Sequence, residues 1–552
     1  MRRRDFLTLS ALGSAALAHP ARALPDAPDA PDASSAPGPS SDDFAFGEAT
    51  VADLQQRLGD GRLTARALTE AYLARIAALD TDAPGRTGLR SVIEVNPDAV
   101  ALADALDAER RAGRVRGPLH GIPVLLKDNV DTGDRMQTTA GSLALVGAPA
   151  PRDAFLAARL RDAGAVLLGK TNLSEWANFR STRSSSGWSA RGGQTRKPYA
   201  LDRAPCGSSS GSGVAVAANL CAVAVGTETD GSIVCPSATC GIVGVKPTVG
   251  LVSRGGVIPI SHSQDTAGPM TRTVRDAALL LGALASGGAD PRDPATRAAQ
   301  PHVHADYARF LDAGALKGAR IGVARKSFGF HAGVDRVMDD ALRALRDAGA
   351  VLVDPADLPT AGQFDAAEFE VLLHEFKADL NAYLAERARL TPRATFPRTL
   401  AELIAFNTRE AERELRWFGQ ELFEQSQAKG PLTDPKYRAA RERSYRLAGP
   451  QGIGAVLARH RLDALVAPTN GPAWSIDLVT GDHFGGGYAS ASAVSGWPHV
   501  TVPAGDVHGL PIGLSFFAGA WSEPRLLALA YAFEQRTRRR RVPTLVGTVA
   551  AR

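Results

Sequence analysis

The chain contains Cys206-Gly-Ser-Ser-Ser-Gly-Ser-Gly213, an apolar run from Val214 to Val225, and then Gly226-Thr-Glu-Thr-Asp-Gly-Ser232. Glycine lets backbone N–H groups approach a substrate closely, and a serine hydroxyl becomes a nucleophile once a base removes its proton. A flexible Gly/Ser linker is the alternative, but linkers stay polar, whereas residues 214–225 are apolar enough to be core. The pattern therefore predicts two serine-bearing turns that pack against a hydrophobic interior and whose backbone can approach a reacting substrate closely.

The composition is that of an ordinary globular protein large enough to be an enzyme. The 552 residues are 44% apolar and 22% charged, which allows a large core. The formal net charge is +5, and residues 1–23, with four arginines and one aspartate, contribute +3 of it. The run Arg538–Arg541 follows an apolar, predicted helical segment, where cations at a helix C-terminus are expected. We therefore expect no nucleic-acid partner.

Residues 1–23 have the pattern of an export signal. Arg3-Arg4 precedes an apolar segment from Leu7 to Ala18, and Ala21-Arg22-Ala23 has the form of a cleavage site. The paired arginines favour the twin-arginine route; a general secretory signal and an uncleaved anchor are the alternatives, although the apolar segment is short for a bilayer. Residues 24–44 are rich in Pro, Ala, Asp and Ser and are predicted to be a disordered linker. We expect a periplasmic or secreted protein without stable membrane insertion.

Helix and strand patterns alternate from residue 45 onward. A helix closed by glycine and followed by a short apolar strand occurs at residues 153–168 and again at 344–353. This order predicts the α/β class, with helices on the faces of a layered sheet. Residues 369–428 are helix-rich and charged, and we predict that they form a helical insertion over the site. Residues 45–552 are then a single catalytic domain.

Two motifs could explain how a serine is activated here. Gly207–Gly211 matches the G-x-S-x-G elbow of α/β-hydrolases with Ser209 in the centre, but an elbow needs a preceding strand and residues 197–205 contain two prolines. Lys127 ends the apolar run that begins at Gly121, where burial favours the neutral amine that can accept a proton. Taken by itself, the lysine is better explained as a surface residue that terminates a buried strand.

The four cysteines, Cys206, Cys221, Cys235 and Cys240, all lie within the serine-bearing segment. An exported protein could pair them, but no C-x-x-C or Cys/His ligand spacing is present. We therefore expect free, buried cysteines that act as small apolar residues. His374-Glu375 resembles the start of a zinc-binding helix, but Ala378 stands where the second histidine belongs. We expect no metal and no cofactor.

Residues 121–130, 205–213 and 226–248 together resemble the amidase signature family, and the resemblance extends from about residue 45 to about 542. It implies a three-layer α/β/α fold with a mixed central sheet. It also implies that Lys127 is the catalytic lysine, Ser208 a serine held by a cis peptide bond, and Ser232 the nucleophile. The 24-residue interval between the two serines is the one that the family keeps.

This resemblance implies a definite chemical mechanism. Ser208 is able to accept a proton from Ser232 and to donate one to neutral Lys127. The backbone N–H groups of Thr229, Asp230 and Gly231 are expected to form the oxyanion hole. Ser232 then attacks the amide carbonyl, ammonia or an amine leaves, and water releases the acyl enzyme.

Departures from the common family pattern narrow the choice of substrate. Glu228 stands where an aspartate is usual, Val234 where an arginine is usual, and Cys206 replaces a glycine. With residues 167–179, Gly187-Trp188 and residues 375–383, these features resemble the branch of bacterial peptide amidases, which remove C-terminal amides from peptides. We expect an exported serine amidase acting on peptide or small-molecule amides, as a monomer or a homodimer.

Three alternatives stay open at this point. The protein could act on other small aliphatic or aryl amides. It could be the glutamine amidohydrolase subunit of a tRNA amidotransferase, although charged tRNA is cytoplasmic and an export signal would make no sense there. It could also be a non-catalytic binding protein, against which the intact Lys127, Ser208 and Ser232 argue.

Overall fold

A mixed sheet of eleven strands runs through the molecule, as shown by a computed structural model that describes residues 44–549. The predicted signal peptide (1–23) and all but the last residue of the predicted linker (24–44) lie outside the described residues. The strands are β1 (Val92–Val95), β2 (Pro123–Lys127), β3 (Val166–Thr171), β4 (Trp188–Ser189), β5 (Gly193–Gln194), β6 (Val223–Glu228), β7 (Val243–Lys246), β8 (Thr266–Thr271), β9 (Arg320–Val323), β10 (Val351–Val353), β11 (Ala464–Pro468), β12 (His499–Val507) and β13 (Leu510–Phe517).

The helices account for most of the remaining regular structure. They are α1 (Val51–Gly59), α2 (Ala65–Leu79), α3 (Ala99–Arg111), α4 (Phe155–Asp162), α5 (Ser210–Ala217), α6 (Val234–Thr239), α7 (Val274–Ala285), α8 (Thr296–Ala299), α9 (Ala332–Asp347), α10 (Asp365–Leu390), α11 (Leu400–Arg409), α12 (Ala411–Glu414), α13 (Glu421–Gln427), α14 (Pro435–Ala448), α15 (Ala455–His460), α16 (Ser490–Ser495) and α17 (Glu523–Thr537). No helix in residues 44–549 is both long and apolar enough to span a bilayer.

The order of the strands is β1-β3-β2-β6-β8-β7-β12-β13-β11-β9-β10, and β4 pairs separately with β5. Parallel pairs join β3, β2 and β6, and also β11, β9 and β10, while the remaining neighbours are antiparallel. Strands β2, β6, β11 and β13 are buried along their whole length. Burial on both faces explains why these strands appear in the sequence as continuous apolar runs rather than alternating ones.

Helices pack against both faces of this sheet. Helix α5 crosses β2, β3, β6 and β8, and α6, which contacts α5, crosses β7, β12 and β13. Helices α4, α7, α17 and α9 contact one another in series and pack on the sheet through β8, β12 and β13. The predicted α/β class, a three-layer α/β/α arrangement around a mixed sheet, is therefore confirmed.

Helices α10 to α14 form a continuous helical region over residues 365–448, which extends beyond the insertion predicted at residues 369–428. The extension is α14. Its sequence is rich in arginine, so the face that packs against the domain is difficult to recognise from the sequence. That face consists of Tyr437, Ser444, Leu447 and Ala448. Asp434 caps this helix by accepting a hydrogen bond from the backbone N–H of Lys436, and proline occupies its first turn. Both features are typical of a helix start.

A fully buried arginine ties the helical region to the rest of the domain. Nη1 of Arg180 lies 2.5 Å from Oε1 of Glu175 and also donates to the backbone carbonyl of Glu414 in α12. The carboxylate of Glu414 is a further partner at 3.6 Å, and all three side chains are inaccessible to solvent. Because a buried charge needs a counter-charge, this cluster holds α12 against the segment that follows β3.

Candidate active site

Two parallel strands bring the predicted lysine and the predicted nucleophile loop to one edge of the sheet. Strands β2 and β6 are neighbours in which Leu126 lies opposite Val225. Since parallel strands end at the same sheet edge, Lys127 at the end of β2 meets the last residues of β6. The loop of residues 229–232 follows β6 directly.

The Lys127 side chain lies in a fully buried polar cage. Its Nζ is 2.8 Å from Oγ of Ser208, 2.8 Å from Oγ1 of Thr227 and 3.1 Å from the Thr227 carbonyl oxygen. Burial lowers the pKa of Lys127 to about 7, although the carboxylates of Asp265 and Glu228 favour its charged form. A substantial neutral fraction is therefore present near neutral pH, as a general base requires.

Thr227 is a site residue that the sequence reasoning missed. Its hydroxyl contacts Lys127 and accepts a hydrogen bond from Nδ2 of Asn129 at 3.0 Å. The signal was its place in Gly226-Thr-Glu-Thr, one residue before Glu228 at the end of a buried strand. Thr227 and Ser208 together fix the position of the lysine nitrogen.

Ser208 lies next to this lysine and is fully buried. The peptide bond between Gly207 and Ser208 is cis, the configuration that the family resemblance implies. A side chain at position 207 would collide with Oγ of Ser174, so only glycine fits there. Close packing around Gly207 therefore defines the backbone that presents Ser208.

The other serines of the 206–213 segment have structural roles. The Ser209 hydroxyl accepts from the backbone N–H of Thr227 at 3.1 Å and donates to the Thr227 carbonyl at 3.0 Å. Ser210 donates to the Cys206 carbonyl at 2.6 Å, and Ser212 donates to the Val225 carbonyl at 3.1 Å. Because Ser209 is buried and uses its hydroxyl to anchor β6, the elbow interpretation with Ser209 as nucleophile finds no support.

Ser232 is brought beside the Ser208 segment by a backbone hydrogen bond. The N–H of Ser209 donates to the Ser232 carbonyl at 3.1 Å, and Ser232 is 7% exposed. Gly231 precedes it with a φ of +78°, a conformation that favours glycine. The chain therefore turns sharply just before Ser232, and the structure brings together Lys127, Ser208 and the loop that carries Ser232.

The three predicted oxyanion donors differ in their surroundings. Within residues 44–549, the backbone N–H groups of Thr229 and Asp230 have no hydrogen-bond acceptor. The N–H of Gly231 faces the carboxylate of Glu228, which also accepts from the N–H groups of Ile233 at 2.7 Å and Val234 at 3.0 Å. Glu228 thus shapes the loop, and Thr229 and Asp230 offer open donors.

A disulfide joins the two serine segments, which corrects the expectation of four free cysteines. Cys206 and Cys235 are bonded, with their Cα atoms 6.0 Å apart, whereas Cys221 and Cys240 are free and buried as expected. Sequence separation hides this pair, because the cysteines meet only when the Ser208 and Ser232 segments pack side by side. The bridge links the residue before Gly207 to the start of α6, directly after the nucleophile loop.

A cavity of about 290 Å³ opens at these segments. Gly207 and Gly231, the residues before the two serines, line it together with Asp230 and the disulfide. Its other walls are Asn178, Ser186, Thr469, Trp474, Asp482, Phe484, Gly487, Tyr488, Ala489 and Ser490. A larger cavity of about 820 Å³, lined by parts of α10, α14 and α16, includes Gln264 but neither serine segment. The smaller cavity is therefore the one that adjoins both serine segments.

One group of side chains has the composition of a metal site. Nitrogen or oxygen atoms of His262, Glu375 and Asp379 lie within 4.8 Å of one another. The Glu375 carboxylate, however, already accepts hydrogen bonds from Tyr437 at 2.6 Å and from two serine hydroxyls, Ser261 and Ser263. We interpret the group as a hydrogen-bonded anchor for α10, and the absence of a metal stays a prediction.

The fold and the site define an amide-hydrolysing enzyme. The sequence profile of the family described as Amidase matches residues 67–527, and the chain belongs to that family. It is 41% identical to a probable amidase of Arabidopsis thaliana. The match of 516 residues covers 92% of this chain and 93% of the relative.

Solved structures and further relatives extend the comparison. The native peptide amidase from Stenotrophomonas maltophilia is similar at 56% identity with a TM-score of 0.85, over 91% of this chain and 99% of that chain. A glutamyl-tRNA(Gln) amidotransferase subunit of Halorhodospira halophila is 36% identical over 503 residues, 89% of this chain and 97% of the relative.

Proposed function

We propose that this protein is an exported serine amidase that hydrolyses C-terminal amides of peptides, with Ser232 as the nucleophile. The observation that carries the proposal is the 2.8 Å contact between Nζ of Lys127 and Oγ of Ser208. The lysine is buried and its pKa lies near 7. The nucleophile loop is hydrogen-bonded, through the Ser232 carbonyl, to the backbone of Ser209, which directly follows Ser208. A base, a relay and a serine are therefore present within one site.

In this mechanism Ser208 passes a proton from Ser232 to neutral Lys127, and Oγ of Ser232 attacks the amide carbon. The open backbone N–H groups of Thr229 and Asp230 stabilise the oxyanion of the tetrahedral intermediate. The proton returns from Lys127 through Ser208 to the leaving nitrogen as the C–N bond breaks, and ammonia departs. Water then gives a proton to Lys127 through Ser208 and attacks the acyl ester. As the ester C–O bond breaks, the proton returns to Oγ of Ser232, the carboxylic acid is released, and Lys127 is neutral again.

Two observations favour peptide amides over other substrates. The chain is 56% identical to a solved peptide amidase and 36% identical to an amidotransferase subunit. The cavity also offers Trp474, Phe484 and Tyr488 as apolar surface for a substrate side chain, with Asn178 and Ser186 as hydrogen-bonding groups. Small aliphatic and aryl amides remain the alternative substrates.

Export is proposed from residues 1–23 and gains support from the disulfide. A bond between Cys206 and Cys235 is expected to persist in an oxidising compartment such as the periplasm. Replacing Arg3 and Arg4 together by lysine should retain the protein in the cytoplasm if the twin-arginine route is used. Unchanged export of that variant would contradict the twin-arginine assignment.

Ammonia release by the purified mature protein tests the substrate proposal. The panel compares blocked dipeptide amides, free glutamine, aliphatic amides and anilides at equal concentration. We expect the highest kcat/KM for the dipeptide amides. Folded protein that leaves every amide intact would refute the proposed function, and a preference for glutamine would favour the amidotransferase alternative.

A further inference from the structure

Two carboxyl groups from different parts of the fold meet at the active-site cavity. Asp230 lines the cavity two residues before Ser232, and Glu368 belongs to the first turn of α10 and is buried. The two side chains are hydrogen-bonded to each other. Since an ionised carboxylate only accepts hydrogen bonds, one member of the pair must carry a proton.

Burial and the charge of Asp230 place that proton on Glu368, and Gln264 connects Glu368 to the nucleophile loop. Nε2 of Gln264 donates to Oε1 of Glu368 at 3.0 Å and to the Thr229 carbonyl at 3.2 Å. Gln264 occupies only Oε1 of Glu368, so the second oxygen carries the proton toward Asp230. This arrangement connects α10 to the nucleophile loop and holds the Asp230 carboxylate at the cavity surface.

The charges around the pair agree with one proton and one negative charge. Burial raises the pKa of Glu368 well above its usual range, and the charge of Asp230 raises it further. Burial raises the pKa of Asp230 to about 6, and Glu228 and Asp365 add to that effect. The nearby cation is Lys246, which is buried and also faces Glu228. Near neutral pH, Asp230 is ionised while Glu368 stays neutral.

The cavity itself offers no compensating charge. Among the described residues that line it, none is lysine, arginine or histidine. The second carboxylate, Asp482, accepts hydrogen bonds from the backbone N–H of Ser186 at 2.9 Å and from Nε1 of Trp474 at 3.0 Å. Asp230 therefore leaves a net negative potential beside the predicted oxyanion hole, in a partly buried space where charges interact more strongly than in water.

We propose that Asp230 sets the charge preference of this enzyme, favouring amides whose acyl group carries a cationic side chain and disfavouring those that carry a carboxylate. This inference rests on the proposed hydrolysis of amides in this cavity. Glu368 acts as a positioning residue, because it holds Asp230 without adding a second charge. The same potential repels the carboxylate product, so product inhibition is weak.

Three substrates that differ only in one side chain test the proposal: acetyl-alanyl-arginine amide, acetyl-alanyl-methionine amide and acetyl-alanyl-glutamate amide. For the wild type near neutral pH, we expect kcat/KM for the arginine amide to exceed that for the glutamate amide by on the order of tenfold. Asp230→Asn should lower this ratio severalfold, to a residual value set by the remaining Asp482 carboxylate, and should strengthen inhibition by the acid product. Glu368→Gln, which keeps a donor toward Asp230 and no charge, should preserve the ratio.

The pH dependence supplies a second measurement that needs no variant. The arginine-to-glutamate ratio should fall as pH drops through about 6, because Asp230 becomes protonated. The protonation of Lys127 affects all three substrates equally and cancels in the ratio. A ratio near one in the wild type, or one that Asp230→Asn leaves unchanged, would overturn the charge assignment. Failure to hydrolyse any of the three amides would instead refute the proposed function, and this inference with it.

Discussion

Nζ of Lys127 lies 2.8 Å from Oγ of Ser208, and neither side chain is accessible to solvent. The contact explains how a lysine becomes a base in this fold. Burial destabilises the ammonium form and lowers its pKa to about 7, while the two hydroxyl partners, Ser208 and Thr227, keep the nitrogen in place.

The pH dependence of hydrolysis follows from this pKa. For a neutral substrate, kcat/KM should rise with pH through about 7 and then level off, because only the neutral amine of Lys127 accepts a proton. The measurement is ammonia release across mildly acidic to mildly basic buffers, with thermal unfolding in the same buffers as the control. An inflection near the usual lysine pKa would show that burial does not lower the pKa of the base, and the absence of any inflection in this range would argue against Lys127 as the base.

Replacing the two proposed catalytic serines separates the relay from the nucleophile. Ser232→Ala should lower kcat by about 10⁴-fold or more, and Ser208→Ala should cost a similar factor, because groups that act as a unit fail together. Only Ser232 is expected to form an acyl enzyme, so rapid quenching followed by mass spectrometry should detect no covalent adduct with Ser232→Ala. Full activity of either variant would contradict the mechanism.

Thr227→Val tests the residue that the sequence reasoning missed. The change removes the hydroxyl that lies 2.8 Å from Nζ of Lys127 and keeps the shape of the side chain. Losing a partner of the charged form should lower the lysine pKa, so the acidic limb of the pH profile should move to lower pH. Thr69→Val is the matched control, since the buried hydroxyl of Thr69 has no partner within the described residues. Equal profiles for both variants would argue against a role for Thr227.

The Cys206–Cys235 bridge should contribute measurably to stability. It closes a loop with a sequence separation of 29, and the entropy of such a loop corresponds to about 3.6 kcal/mol of unfolding free energy. Reduction of the wild type should therefore lower the midpoint of urea unfolding. The Cys206→Ala/Cys235→Ala variant should already have the lower midpoint and should not respond to a reductant. A wild type that is indifferent to reduction would show that the bridge contributes no stability.

The buried arginine offers a comparison with an exposed one. Arg180→Ala should lower the unfolding free energy by about 3–5 kcal/mol, because Glu175 and Glu414 are left buried without a counter-charge. Arg152→Ala removes an exposed ion pair with Glu386 and should cost less than about 1 kcal/mol. Chemical denaturation measures both. Equal losses would mean that Arg180 does not anchor the helical region.

Much of the architecture could be predicted from local patterns. The apolar run that ends at Lys127 marked the buried strand β2, and the apolar run of residues 214–225 predicted core, although the sequence did not show that this run divides between α5 and β6. The limit of the helical region was harder to predict, since the buried residues of α14 are scattered among arginines. Polar surface residues carry little information about the face that packs.

The sequence by itself determined the α/β class, the family resemblance and the identity of Lys127, Ser208 and Ser232 as candidates, because these depend on local pattern and motif spacing. Only the tertiary structure decided which groups touch: Thr227 against Lys127, Cys206 bonded to Cys235, and Asp230 against Glu368. These pairs come from separate strands, loops and helices. Their distances follow from how the sheet and α10 pack, which no local spacing along the chain encodes.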